Sequence, residues 1–321
     1  PGRLAATIPI GGDEWDLSDL AEVGGRIWVT RSRGPLAIDP RTNGVTRLPV
    51  RIDPGRGRRS IAQFTVAGGG VWAHVADESV GSTHLERIDP VSLRVTARWR
   101  PPPRPRAFAR DPVGGAGGLW VTVHRSAATG RESDVRRLDA VTGRELARLP
   151  VAASELAADD TTVVAVDVDG RAAVLIDPAD GSVRPLATPP PEGRGFLDAA
   201  IGYGSAWLPS YGGILTRVDL VTRTVHRISI PAATPPGGRE DGSAVTRVAV
   251  GAGSVWALTA TGHVVRVDPA RNRPVGVVGG LGSARGATRR YFDDILVTED
   301  AVWVAAEDGG RPVVLRIDPD R

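Results

Sequence analysis

From Gly25 to Val50 the chain reads GRIWVTRSRGPLAIDPRTNGVTRLPV, and apolar and polar residues alternate over short runs divided by turn residues. A two-residue alternation is the period of a strand with one face buried. Arg26 to Thr30 is one such run, Leu36 to Asp39 a second and Val45 to Val50 a third. Gly34-Pro35 separates the first two. Asp39-Pro40 ends the second, because Asp accepts hydrogen bonds from nearby backbone and Pro fixes φ. A run from Leu17 to Val23 precedes them, so the pattern predicts a four-stranded antiparallel meander, the unit of a propeller blade.

The unit recurs. Trp28, Trp72, Trp120, Trp207, Trp256 and Trp303 each follow a Gly-rich or Asp-containing turn, and Val164 takes the same place in the fourth copy. Each is followed by an Asp that ends a third strand: Asp39, Asp89, Asp139, Asp177, Asp219, Asp268 and Asp318, five of them before Pro. The copies are spaced in the forties of residues, the period of propeller blades. The chain opens on a strand, Leu4 to Ile10, with no blade before it. It closes on Val313 to Asp318, a third strand with no fourth after it. Pairing the two removes the last open sheet edges. The expected fold is therefore all-β: a seven-bladed β-propeller of four-stranded antiparallel blades, its ring closed by the N-terminal strand pairing with the C-terminal blade. Closed repeat folds run long as one domain, so residues 1–321 are expected to form a single, monomeric domain.

Composition adds little to this picture. The basic residues are all arginine, and the net charge is +3. So small an excess does not argue for nucleic acid, and the expectation is that none is bound. Zero Cys excludes disulfides and thiolate metal sites. No run approaches the apolar length of a membrane span. The absence of an initiator Met reads as a piece of a longer chain.

The repeat GxxVWVxxxxGxLxRIDPxTxxVxxxIPV resembles the YVTN or YncE-like seven-bladed propellers and, more distantly, the virginiamycin B lyase-like group. LDAVTGRELARL, from Leu138 to Leu149, is similar to a quinoprotein repeat in that one copy. The resemblance implies a seven-bladed propeller, often extracytoplasmic, cell-surface-attached or joined to a regulatory or kinase module, with many members lacking an assigned activity, and the expectation here is a non-catalytic binding or sensor module. The lyase-like group implies the alternative, a metal-assisted lyase or hydrolase, but no segment matches its catalytic pattern.

In a meander blade the short Gly and Asp-Pro turns share one end, and the long irregular connections share the other. Long loops on a rigid scaffold are where binding concentrates, so a small molecule, polymer or protein is expected there. Three arginine clusters fall in these loops: Arg56, Arg58 and Arg59; Arg104, Arg106 and Arg110; Arg285, Arg289 and Arg290. They could attract an anionic partner. The aromatics expected there are Trp15, Phe108, Tyr211 and Tyr291. Of the five histidines, only His124 ends a second strand at this end, which makes it the candidate for acid-base work with Glu78 or Asp134.

Nine residues before each marker stand Asp19, Gln63, Asp111, Glu155, Asp198, Arg247 and Asp294, all polar. The next position is apolar in every copy: Leu20, Phe64, Pro112, Leu156, Ala199, Val248 and Ile295. This is the alternation of an inner strand. The seven polar residues are expected to ring the mouth of the central channel and to form the binding site. Five carboxylates in one ring repel one another and raise some pKa values, unless Arg247, a Ca²⁺ or Mg²⁺ ion or a cationic ligand group offsets them.

Overall fold

The structure is a computed structural model. It describes all residues except 1, 12–16, 32–33, 51–58, 78–81, 103–106, 128–129, 168–171, 187, 189–194, 232–243, 280–291, 309–310 and 320–321. Strand β1 (Arg3–Pro9) comes first. The first blade follows with β2 (Leu17–Val23), β3 (Arg26–Arg31), β4 (Leu36–Ile38) and β5 (Val45–Arg47). The second is β6 (Arg59–Ala67), β7 (Gly70–Asp77), β8 (Ser82–Ile88) and β9 (Val95–Trp99). The third is β10 (Ala107–Gly115), β11 (Gly118–Ala127), β12 (Gly130–Leu138) and β13 (Glu145–Leu149). In the fourth are β14 (Glu155–Ala158), β15 (Val163–Asp167), β16 (Ala172–Ile176) and β17 (Val183–Pro185). The fifth has β18 (Ala200–Gly202), β19 (Ser205–Pro209), β20 (Ile214–Asp219) and β21 (Val225–Ser229). The sixth has β22 (Val245–Gly251), β23 (Ser254–Thr259), β24 (Val264–Asp268) and β25 (Arg273–Val278). Finally come β26 (Phe292–Val297), β27 (Val302–Asp308) and β28 (Arg311–Asp318).

Each blade is a four-stranded antiparallel sheet, six of them in sequence order, so the fold is a seven-bladed β-propeller. The seventh sheet has the order β1-β28-β27-β26. Arg3 lies opposite Asp318 and Pro9 opposite Val313, with one bulge between Leu4 and Ala6, so the opening strand completes the last blade as the alternation predicts. Two compact units can be distinguished. One is Pro1–Trp15, Val166–Leu175 and Arg184–Arg321; the other is Asp16–Ala165 with Ile176–Val183.

Second strands carry the core, and β19 and β23 are buried along their whole length, which takes cover on both faces. Trp28, Trp72, Trp207 and Trp256 pack on the blade that follows them. Trp28 lies edge-on to Phe64 at 5.8 Å, and Trp72 joins Ala107, Ala109, Leu119 and Val121 in one core. Likewise Trp207 packs with Val245, Val248 and Val255, and Trp256 with Ile295, Val302 and Val304. All six repeat indoles are buried, and Val164 takes the fully buried place in the fourth blade. The glycine five residues before the indole fits the same interface. The C=O of Gly202 accepts the Trp207 Nε1–H at 3.0 Å, and its missing Cβ makes room for Val250 of the next blade.

An arginine two residues before the marker Asp lies over the indole, at 5.4 Å for Arg137 on Trp120 and 5.3 Å for Arg217 on Trp207. Such contacts pair a cation with the negative face of the π-system. The guanidinium then reaches the next blade's turn: Arg137 Nη1 donates to Pro178 O and Arg217 Nη1 to Pro269 O, both at 2.5 Å. Those turns are closed locally. Oδ1 of Asp39, Asp89, Asp139, Asp219 and Asp268 accepts the N–H groups two and three residues on. The residue four on takes a positive φ. It is Gly143 or Gly181 in two blades, but Leu93 at 57° and Arg223 at 63° in others, where a side chain is strained by about 1–2 kcal/mol.

Candidate binding site at the entry of the inner strands

The polar position nine residues before the marker coincides with a break in the ladder. Register shifts fall at Leu17/Leu20, Ile61/Gln63, Arg110/Val113, Val245/Arg247 and Phe292/Asp294. Asp19, Gln63, Asp111, Arg247 and Asp294 therefore lie at bulges, and Asp111 has φ at 45°. A bulge sets two residues against one, interrupts the alternation and re-aims the side chain. Glu155 opens β14, and Asp198 stands two residues before β18.

Two of the carboxylates have a shared task. Asp19 Oδ2 accepts the Phe64 N–H at 2.5 Å, and Asp198 Oδ2 accepts the Val248 N–H at 2.9 Å. Phe64 follows Gln63 and Val248 follows Arg247, so each carboxylate reaches the residue after the matching position in the next blade. An N–H beside a bulge needs an acceptor when water is excluded, and a carboxylate on the adjoining inner strand supplies one. Asp198 Oδ1 also takes its neighbour's N–H, from Ala199 at 2.8 Å. The side chain keeps some exposed surface yet lies deep in the protein mass, and burial pushes its pKa up to about 6. Arg247 and the two N–H groups oppose that rise, whereas the Asp294 charge adds to it. Asp198, Arg247 and Asp294 thus form one electrostatic group in one unit, while Asp19, Gln63, Asp111 and Glu155 belong to the other. Among the described residues no group of three or more His, Asp or Glu is placed to hold a metal ion.

His124 lies opposite Phe108 across β10 and β11, and the two rings stack at 5.4 Å with planes 13° apart. Thr122 Oγ1 donates to Arg110 O at 3.1 Å and lies 3.1 Å from His124 Nε2. One hydroxyl has one proton, so it accepts from His124, and Nε2 carries the hydrogen. Asp134 is not brought to His124. His124 pairs with Ser133 and Asp134 with Val123, so strand alternation puts the two on opposite faces. Asp134 is instead held by Arg125 at 2.6 Å, Arg136 at 2.6 Å and Arg148 at 2.8 Å. Burial alone would raise its pKa, but Arg136 and Arg125 keep it below the ordinary value. Arg136 also pairs with Glu145. A second buried cluster joins Glu86 to His84 at 3.2 Å and Arg98 at 2.9 Å.

These ion clusters bind third strands to fourth strands, and hydrophobic patterning gave no sign of them. Sequence did hint at their site: His84 and Asp134 share one repeat position, and Glu86 and Arg136 another. His226 is exposed on β21 as expected. His74 is buried, and its pKa falls to about 4, through burial first and then the charge of Arg110. Glu78, Trp15, Tyr291 and the arginines at 56, 58, 104, 106, 285, 289 and 290 lie outside the described residues. No helix among the described residues is long and apolar enough to cross a membrane.

No family model matches the chain, and no curated protein matches it. Among solved structures 1118 chains match, and a fold so widely shared leaves function to be argued from the site. One is the crystal structure of the computationally designed Ika8 protein, which aligns over 96% of this chain and 98% of its own, with a TM-score of 0.57 and 13% identity. At that identity the likeness shows the fold alone.

Proposed function

We propose that the chain is a non-catalytic binding module, and that its ligand docks on the end of the blades where the inner strands begin. The observation that carries this reading is the contrast between the two ends of a blade. At the Asp-Pro end the polar groups are spent internally: the marker carboxylates cap their own turns, and arginines donate to the neighbouring turn's carbonyls. At the other end Arg110 is exposed beside Phe108, and Asp198, Arg247 and Asp294 remain partly exposed with a perturbed carboxyl among them. Perturbed titratable groups gather where function is. The likeness of the repeat to YVTN and YncE-like propellers supports an extracytoplasmic or cell-surface setting for such a module.

The test is a fragment screen followed by amide shift mapping. Binders should perturb the residues around Arg110 and His124 in one unit or those around Asp198 and Arg247 in the other. Binders that instead perturb the turns at Val91, Val141 and Val221 would reverse the assignment.

A further inference from the structure

We propose that Arg110, with Phe108 and His124, forms a site for a flat organic carboxylate, such as an aromatic acid. The inference rests on the reading that this end of the blade binds ligands, and it adds the ligand's chemistry.

Arg110 differs from the other ring-stacked arginines in what its N–H groups meet. Arg137 and Arg217 stack on indoles and spend their donors on protein acceptors: Pro178 O and Gly117 O for the first, Pro269 O and Asn272 Oδ1 for the second. The Arg110 guanidinium sits 5.3 Å from the Phe108 centroid, a matching distance. Its side chain is exposed, however, and among the described residues no acceptor takes its N–H groups and no carboxylate pairs with it. The cation is thus held against a ring, and among the described residues nothing takes its donor fork.

That fork suits a carboxylate, which it can grip through two parallel hydrogen bonds. The ring beside it is already one layer of a stack, Phe108 on His124. The imidazole is fixed in turn by Thr122, whose hydroxyl is anchored on the Arg110 carbonyl. A planar group joined to the bound carboxylate can lie along these rings, and aromatic pairs favour such offset arrangements. The charge of Arg110 is also felt inside the protein, since it contributes to keeping buried His74 neutral. Phe108, Arg110, Thr122 and His124 belong to the β10–β11 pair of the third blade, where β11 is the longest described strand at ten residues. The platform is therefore built on a sheet rather than on a loop.

The experiment titrates the full chain with four probes, read by the amide shifts of Arg110 and the ring protons of Phe108 and His124. Benzoate is the test ligand. Cyclohexanecarboxylate keeps the charge without the flat ring, benzyl alcohol keeps the ring without the charge, and inorganic phosphate asks whether an oxyanion suffices. Benzoate should bind at millimolar concentration and at least about tenfold more tightly than the other three. Arg110→Gln should abolish that binding, Arg110→Lys should weaken it by removing the fork, and Phe108→Leu should bring benzoate down to the level of cyclohexanecarboxylate. Equal affinity for benzoate and phosphate would overturn the flat-ligand assignment. Benzoate binding that survives Arg110→Gln, or none at any concentration tested, would overturn the site. Benzoate shifts near Asp198 and Arg247 alone would reject the Arg110 site yet keep the broader reading, and shifts at the Val91 and Val141 turns would reject both.

Discussion

Gly202→Ala tests the closeness of two inner strands without touching any polar group. A Cβ built there would lie 2.3 Å from Val250 Cγ1 and 3.0 Å from Val250 Cβ. Carbon atoms in contact rest about 3.5–4.0 Å apart, so β18 and β22 must part by more than about 1 Å or the valine must turn. Turning is costly, because a β-branched side chain is stiff at χ1. Parting is costly as well, since Val250 packs against the core that holds Trp207, Val248 and Val255. Overpacking of this kind costs about 1–3 kcal/mol. Val250→Ala alone should cost about 1 kcal/mol through lost packing. In the double variant both γ-methyls are gone, so the pair should be less destabilised than the sum by about 1–2 kcal/mol. Urea midpoints followed by tryptophan fluorescence would measure the cycle, given equal slopes. A Gly202→Ala protein as stable as the parent, or strictly additive variants, would refute the close approach.

Three other outcomes are expected. Asp198 has a pKa raised to about 6, above the unfolded carboxylate near 3.9; its contribution to stability is therefore complete below about pH 4 and lost as pH rises through 6, worth at most about 3 kcal/mol. Asp198→Asn should remove that part of the pH dependence of the urea midpoint, and an unchanged slope would contradict the burial argument. His74 runs the opposite way: its pKa is depressed to about 4, so stability is complete above about pH 6.5 and falls as pH drops through 4. His74→Thr, which installs the residue found at the same place as Thr30 and Thr122, should make the protein more resistant to acid unfolding. Arg223→Gly relieves the positive φ of 63° and should raise stability by about 0.5–1 kcal/mol; a loss on thermal melting would show that the Arg223 side chain contributes more than its strain costs.

The alternation around Trp28 and its copies determined the strands and their order, because a two-residue period is local, and the strand count placed the opening strand, since the last copy lacks a fourth strand and the first strand lacks a blade. Turn chemistry is equally local: the carboxylate of Asp89, before Pro90, caps N–H groups two and three residues on, and this is readable from the marker Asp itself. The polar character of Asp19, Gln63, Asp111, Glu155, Asp198, Arg247 and Asp294 was also legible. What these residues touch was not. Asp198 meets Val248 across 50 residues of chain, and Gly202 meets Val250 because two inner strands approach closely, which no period encodes. The bulges at Gln63 and Arg247 re-aim side chains that strict alternation would place elsewhere. Register decided the fate of His124 as well. One residue of parity puts Asp134 on the far face with three arginines and leaves His124 stacked on Phe108, because in a strand neighbours in sequence point to opposite sides.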